Sequence, residues 1–195
     1  MSVLNEIQQR LQEKHDKAIQ QALTSPAFKK WFGGSKVVED DGTPQVMYHG
    51  TKAAFKSFDP RAIGTTDDGL FGKGFYVTYN PEEASGYALS DVFGKGDRPN
   101  VIPVYIALKD PLVIVSGPEG MTLPDGRTVR DIHGGTGVTR KGGQQIRDAA
   151  EKDNHDGILL TNKNGKPLHA VAFSSNQIKS IHASEFDTSS EDIGV

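Results

Sequence analysis

Short apolar segments separated by turn signals are the feature that most limits the folds open to this chain. Most of these segments follow one another through turns rather than through helices, and this order favours strands that pair with their sequence neighbours. The predicted strands are residues 36–39, 45–49, 74–79, 101–108, 112–115, 157–161, 169–173 and 178–182. The pattern therefore predicts an α+β fold with a mainly antiparallel sheet.

Two dipeptides mark predicted hairpins. Asp41-Gly42 lies between the first two predicted strands, and Asn164-Gly165 lies between the strands at 157–161 and 169–173. Asp-Gly and Asn-Gly pairs favour the tight turns of hairpins, because these turns need residues with positive φ. Each dipeptide therefore predicts two adjacent antiparallel strands.

Helical patterns begin the chain and recur between the strands. Apolar residues in 4–23 recur at spacings of three, four or seven, which predicts an amphipathic helix. A second helix is predicted to start with Ser25 as its cap and Pro26 at its first position, and to end at Gly33 or Gly34. Two further helices are predicted over residues 82–89, after the cap Asn80 and Pro81, and over residues 144–152.

The sequence divides into an N-terminal helical arm (1–34), a main domain (35–183) and an acidic tail (184–195). The aromatic residues of the second helix favour an arm that packs on the domain, with a separate partner-binding helix as the alternative. Residues 116–143 are rich in glycine and lack apolar periodicity, which predicts a long irregular loop. The tail has few apolar residues, so we expect it to be disordered.

Composition excludes several classes of protein. The chain has no cysteine, which excludes a disulfide scaffold, thiolate catalysis and cysteine-ligated metal. A net charge of −3 argues against broad electrostatic binding of nucleic acid. No apolar run reaches the roughly 18 residues that a membrane span needs. No signal peptide, P-loop or HExxH motif is evident, so we expect a protein of the cytoplasm.

From the sequence pattern alone, three residues are candidates for contact with a ligand. His49 ends an apolar strand and precedes Gly50, so it can either contact a ligand hydroxyl or serve as a structural histidine. Tyr76 and Tyr87 lie on a predicted strand and on the helix that follows it. Their rings can either enclose a flat ligand ring or belong to the core.

In combination, the motifs resemble the histidine–tyrosine–glutamate branch of the ADP-ribosyltransferase superfamily, which includes poly(ADP-ribose) polymerases and diphtheria toxin. The resemblance is closer still to ADP-ribosyltransferase-like domains of phage and bacterial polyvalent or effector proteins, and it runs from about residue 27 to 182. It implies a split antiparallel sheet with the N-terminal helical arm attached. The motifs that carry it are WFGGSKVV (31–38), YHGT (48–51), GKGFYVT (72–78), ASGY (84–87), DGI (156–158) and FSSNQIKS (173–180).

The resemblance implies that NAD⁺ is the substrate and that ADP-ribose passes to a macromolecular target, with protein favoured over nucleic acid. It implies that His49 and the backbone of Gly50 hold the adenine-proximal ribose. Tyr76 and Tyr87 then sandwich the nicotinamide, and Thr51 contacts the other ribose or the diphosphate. No metal is implied, because nicotinamide leaves as a neutral molecule. With no Sec-type signal evident, we expect the protein to act in the cytoplasm, of the producing cell or of a host cell after delivery.

One position departs from the family pattern. Where the family has a glutamate, this chain has His169, which can accept a hydrogen bond but carries no negative charge. The acceptor's own carboxylate can then serve in catalysis, or Gln177 or Asp131 can take the missing role, or the domain binds NAD⁺ without turnover. Chain extension depends on that glutamate, so we expect a mono-ADP-ribosyltransferase that adds one ADP-ribose per site.

Two other functions stay open at this point. One is a catalytically inactive module of the same fold that binds NAD⁺ or another nucleotide, an alternative that His169 motivates. The other is an NAD-dependent RNA 2′-phosphotransferase, which needs arginines that bind phosphate. The glycine-rich segment and its flank supply four of them, Arg127, Arg130, Arg140 and Arg147.

Overall fold

The computed structural model describes residues 23–52, 55–59, 61, 69–90, 98–135, 137–183 and 185–194, together with residues 6, 9, 13, 16, 17 and 19–21. The strands are β1 (Met47–Thr51), β2 (Phe75–Thr78), β3 (Asn100–Ile106), β4 (Leu112–Gly117), β5 (Gly120–Thr122), β6 (Gly157–Asn162), β7 (Pro167–Ala172) and β8 (Ile178–Ser180). The helices are α1 (Pro26–Phe32), α2 (Pro81–Leu89), α3 (Val129–Ile132) and α4 (Arg140–Lys152), with a 3-10 turn at Ser175–Gln177.

The eight strands form one sheet in the order β5-β4-β6-β7-β2-β1-β3-β8. Every neighbouring pair is antiparallel except β4 and β6, which are parallel. The predicted α+β class with a mainly antiparallel sheet is therefore confirmed. The two halves of the sheet meet at β1 and β2, where Tyr48 and Thr78 are the register partners.

Apolar side chains pack on both faces of this sheet. On one face, α4 contributes Ile146 and Ala150 to a cluster with Ile114, Ile158 and Val171 of the strands. The opposite face carries residues such as Val77, Val104, Ile106, Leu159 and Ala170, which pack with Phe58 and Ile193. The alternation of side chains along β6, with Ile158 and Leu159 in different clusters, follows from the two-residue period of a strand.

Helix α1 forms as its sequence signals predict. The Ser25 side chain accepts a hydrogen bond from the Phe28 backbone N–H at 3.1 Å, Pro26 is the first residue, and Gly33 caps the end. Phe28, Trp31 and Phe32 are buried with Tyr105 of β3, and the Trp31 Nε1–H donates to the Asn176 carbonyl at 2.8 Å. This second helix of the predicted arm therefore packs on the domain. The described residues between 6 and 24 are also helical, and the rest of the predicted helix at 4–23 lies outside the described residues.

We expect Trp31→Ala to lower the free energy of unfolding by about 3–5 kcal/mol, because it leaves a cavity in a buried aromatic cluster and an unpaired Asn176 carbonyl. Chemical denaturation of the variant and the wild type measures the difference. A loss of less than about 1 kcal/mol would show that α1 does not belong to the core.

The predicted hairpin around Asp41-Gly42 forms as a short antiparallel pair and not as two regular strands. One isolated bridge joins Val38 to Pro44. On either side of it, the Glu39 N–H donates to the Thr43 carbonyl at 2.8 Å and the Gln45 N–H donates to the Val37 carbonyl at 3.1 Å. In the turn, the Asp41 carboxylate accepts hydrogen bonds from the backbone N–H and the hydroxyl of Thr43, at 2.9 and 2.6 Å. The hairpin at Asn164-Gly165 also forms, between β6 and β7.

The glycine-rich segment at 116–143 is more ordered than predicted. It contains β5 and α3, and α4 begins at Arg140, four residues before its predicted start. Leu123 and Val129 anchor the segment in the core. Glycine is needed at positions 142 and 143 of α4, because a Cβ at either position would overlap His133 or the backbone of residues 69–72. Close packing, and not flexibility, therefore explains these two glycines.

The C-terminal residues are also ordered, which makes the expectation of a disordered tail wrong for residues 185–194. Phe186 and Ile193 are buried in the core clusters. The buried Lys179 ammonium donates to the carbonyls of Ser190 and Asp192 at 2.8 and 2.6 Å. These long-range contacts order a segment whose own composition favours disorder.

Candidate functional site

The region of interest lies where β2 turns back into α2. The Asn80 side chain accepts a hydrogen bond from the Glu82 backbone N–H at 2.9 Å, and Pro81 begins the helix. Helix α2 packs directly on β1, since a Cβ at Gly50 would overlap the backbone carbonyl of Ala84. Glycine at position 50 is therefore what allows the helix to approach the strand this closely.

His49 links the two halves of the sheet. Its Nδ1 lies 2.9 Å from the backbone carbonyl oxygen of Tyr76. A carbonyl only accepts, so Nδ1 carries the proton and Nε2 of the neutral ring keeps a lone pair. Burial lowers the pKa of His49 below its usual value of 6.5. The rings of Phe58 and Phe55 meet the imidazole edge to face, at centroid distances of 4.8 and 5.9 Å. The ring is thus held in one orientation and one tautomer.

Tyr76 is fixed by its hydroxyl group. The hydroxyl donates to the Gly72 carbonyl at 2.7 Å and accepts from the Phe71 backbone N–H at 2.9 Å. The rings of Tyr76 and Phe71 are nearly parallel, with centroids 6.5 Å apart. Gly69 lies so close that any Cβ there would overlap the tyrosine ring. The tyrosine therefore holds the glycine-rich turn before β2 in place.

Tyr87 and Glu83 are one helical turn apart on α2, so they share a side of the helix. The Glu83 Oε2 atom accepts a hydrogen bond from the Thr78 hydroxyl of β2 at 2.6 Å. That contact turns the Glu83–Tyr87 side of the helix toward β2. Tyr87 is 46% exposed, so part of its side chain is accessible from solvent.

His169 joins this group from the neighbouring strand. It is the register partner of Thr78, and its Nε2 lies 3.5 Å from the Glu83 Oε2 atom. Burial lowers the pKa of His169, and the charge of Glu83 opposes that shift. The side chains of His169 and Glu83 keep 29% and 34% exposure, so both are accessible from solvent. We call Tyr76, Thr78, Glu83, Tyr87 and His169 together the β2–α2 site.

The other residues proposed from the sequence have structural partners. Gln177 accepts from the backbone N–H groups of Phe173 and Ser174 and donates to the Asp156 carbonyl at 2.7 Å, so its amide caps the turn after β7. The Asp131 carboxylate accepts from the Thr128 hydroxyl at 2.6 Å at the start of α3. These contacts assign both side chains to local structure.

Thr51 is the last residue of β1 and is half-buried. It follows directly on His49 and Gly50, at the point where β1 pairs with the first residue of β3, Asn100. Sequence reasoning placed it near a ligand, and the structure places it at the strand end beside α2.

Sequence reasoning missed Glu83. The available signal was its spacing of four residues from Tyr87, which puts the two side chains on one side of a helix. The sequence does not show which strands are neighbours in the sheet, and only the pairing of β2 with β7 brings His169 opposite Thr78.

Comparison with protein families identifies the domain. Residues 39–188 match the family model described as ADP-ribosyltransferase in polyvalent proteins. The chain belongs to this family. The match includes all eight strands and every residue of the β2–α2 site of the ADP-ribosyltransferase domain. A comparison with curated protein sequences gave no match. The resemblance found in the motifs is thereby confirmed.

Among the described residues, no three His, Cys, Asp or Glu side chains are grouped so as to hold a metal ion. Within the same described part of the chain, no helix is both long enough and apolar enough to span a bilayer.

Proposed function

We propose that this ADP-ribosyltransferase domain cleaves NAD⁺ and transfers a single ADP-ribose to a macromolecular acceptor, with protein favoured. The hydrogen bond from His49 Nδ1 to the Tyr76 carbonyl is the observation that carries the proposal. It fixes a lone pair on Nε2 at the junction of β1 and β2. Domains of this family use NAD⁺ as their substrate.

In the proposed complex, His49 Nε2 accepts a hydrogen bond from a hydroxyl of the adenine-proximal ribose. The neutral ring is needed for this, and the depressed pKa of His49 keeps the ring neutral at physiological pH. The backbone of Gly50 is proposed to contact the same ribose, and the side chain of Thr51 is proposed to contact the other ribose or the diphosphate.

The nicotinamide ring is proposed to bind between Tyr76 and Tyr87. Tyr76 is held by its hydroxyl, so its ring presents a fixed surface for stacking. Tyr87 is exposed and can close on the ligand from α2. Stacking on two rings contributes about 0.5–1.5 kcal/mol per pair beyond the burial of area.

The reaction breaks the bond between nicotinamide nitrogen and ribose C1′. The electron pair of that bond goes to nicotinamide, which leaves neutral, and the ribose develops the positive charge of an oxocarbenium ion, as in glycoside cleavage. A nucleophilic atom of the acceptor then bonds to C1′ and loses its proton. The domain contributes by holding the reacting groups in place and by stabilising the charge.

Two other functions have weaker support. The RNA 2′-phosphotransferase alternative needs arginines that bind phosphate, and two of the four candidates already have carboxylate partners: Arg127 pairs with Asp125 at 2.6 Å and Arg147 pairs with Glu151 at 2.8 Å. Arg147 also lies over the Phe173 ring at 3.3 Å. The inactive-module alternative rests on the absence of a carboxylate at position 169, and Glu83 supplies a carboxylate beside that position.

Mass spectrometry of acceptor proteins tests the proposal. The full chain is incubated with NAD⁺ and a soluble protein extract, and the modified peptides are sequenced. We expect peptides that carry one ADP-ribose and none that carry chains of it. Reactions with His49→Ala serve as the control. Modification by this variant at the wild-type rate when NAD⁺ is limiting, or chains of ADP-ribose, would contradict the proposed function.

A further inference from the structure

We propose that Glu83 supplies the negative charge that stabilises the ribose cation, with Thr78 and His169 holding its carboxylate in place. This inference rests on the proposed function, because it assigns a catalytic residue to that reaction. Neither the motifs nor the family match names Glu83. The assignment comes from the contacts that surround the side chain.

The first argument is position. Tyr76 and Thr78 are two residues apart on β2, about 7 Å along the strand. Tyr87 and Glu83 are four residues apart on α2, about 6 Å along the helix. Strand β2 runs into the turn at Asn80 and helix α2 leads out of it. The step from Tyr76 to Thr78 and the step from Tyr87 to Glu83 therefore both lead toward that turn. Thr78 and Glu83 are thus the next side chains toward that turn from a nicotinamide ring held between the tyrosines, and we infer that its ribose lies beside Glu83.

The second argument is that the carboxylate is held but not neutralised. Thr78 donates to Glu83 Oε2 at 2.6 Å, which fixes one oxygen atom. His169 approaches the same oxygen at 3.5 Å. Burial keeps the pKa of that imidazole low, so the ring is neutral at neutral pH and leaves the charge of Glu83 intact. The contacts of Thr78 and His169 with the carboxylate both involve Oε2, and the side chain is one-third exposed.

The third argument is the chemistry of the departing bond. A cation that develops at C1′ is stabilised most by a fixed negative charge in a site shielded from water. Glu83 is the carboxylate that contacts both Thr78 and His169 in the β2–α2 site. A neutral histidine at position 169 cannot provide this charge itself, but it can orient a carboxylate that does. Glu83 thus performs the electrostatic task from the helix instead of from β7.

Glu83→Gln tests the inference. Glutamine keeps the size of the side chain and an oxygen that accepts from Thr78, so the helix should stay in place. We expect nicotinamide release at saturating NAD⁺ to fall about 100-fold or more. We expect the calorimetric Kd for NAD⁺ to change less than about threefold, because the charge acts on the transition state. Glu82→Gln is the matched control, because it makes the same change at the neighbouring, exposed residue of α2. This variant should release nicotinamide at the wild-type rate.

A second variant tests for the charge itself. In Glu83→Gln combined with His169→Glu, the facing strand carries the carboxylate, and we expect release to recover at least about tenfold over the single variant. Wild-type release rates in Glu83→Gln would overturn the inference and leave the proposed function intact. A wild-type chain that binds NAD⁺ but releases no nicotinamide with water or protein acceptors would overturn both.

Discussion

His49→Ala is expected to weaken NAD⁺ binding by about 10- to 100-fold, the loss that follows when a shielded hydrogen bond to a ligand is removed. The substitution removes the Nε2 lone pair that we assign to the ribose hydroxyl. It also removes the Nδ1 bond to the Tyr76 carbonyl, which spans the junction of the two half-sheets. Calorimetric titration with NAD⁺ measures the affinity directly.

The same variant is also expected to lose stability. The sequence left open whether His49 contacts a ligand or serves as a structural histidine. The structure gives it structural contacts, because the imidazole packs against Phe55 and Phe58 and bonds to a backbone carbonyl. We expect a loss of about 1–3 kcal/mol in the free energy of unfolding.

Trp31→Ala separates the two effects. It should cost at least as much stability, yet it lies in the α1 cluster and should leave the affinity for NAD⁺ unchanged. Equal losses of affinity in both variants would mean that His49 acts only through the fold.

The pH dependence of binding gives an independent readout for His49. Burial places the pKa of the folded-state imidazole below 6.5, so Nε2 keeps its lone pair above that pH. Binding should be constant from about pH 8 to pH 6.5 and should weaken at lower pH, where the ring takes up a proton. The unfolded chain protonates first, so this group also makes the native state less stable as the pH falls below 6.5.

Gly50→Ala is expected to lower the free energy of unfolding by at least about 1–3 kcal/mol, the usual cost of an added methyl group in a packed position. The new Cβ would overlap the carbonyl of Ala84, which is backbone and cannot rotate away. Helix α2 must then move off β1, and it carries Glu83 and Tyr87 with it. We therefore expect thermal unfolding at a lower temperature together with weaker NAD⁺ binding.

Gly86→Ala is the matched control for this prediction. Gly86 lies on the same helix, and apart from its chain neighbours and the backbone of α2, no atom of the described residues is within 4 Å of the position a Cβ would take. Alanine is the better helix former by about 1 kcal/mol, so the free energy of unfolding should be unchanged or higher. If Gly50→Ala were as stable as Gly86→Ala, the close approach of α2 to β1 would be disproved.

Local signals predicted the elements that depend on local chemistry. Asn80 and Pro81 start α2, Ser25 and Pro26 start α1, and the Asn164-Gly165 turn joins β6 to β7, because each acts on backbone within a few residues. The errors occurred where distant contacts decide. Lys179 orders the C-terminal segment, and the packing of Gly142 against His133 places helix where the glycine content suggested a loop.

The candidate site shows the same division. His49, Tyr76 and Tyr87 were proposed because their motifs follow one another in the order typical of the family. Gln177 belongs to one of those motifs, but its side chain caps a turn. Glu83 belongs to none, and its proposed role rests on the pairing of β2 with β7, which no local pattern encodes.

Titration of the purified full chain with NAD⁺, followed by measurement of free nicotinamide in the same sample, tests the central claim most directly. The account predicts saturable binding at one site per chain and nicotinamide that accumulates over time, with His49→Ala reducing the binding. The absence of any NAD⁺ binding by the wild-type chain would contradict it.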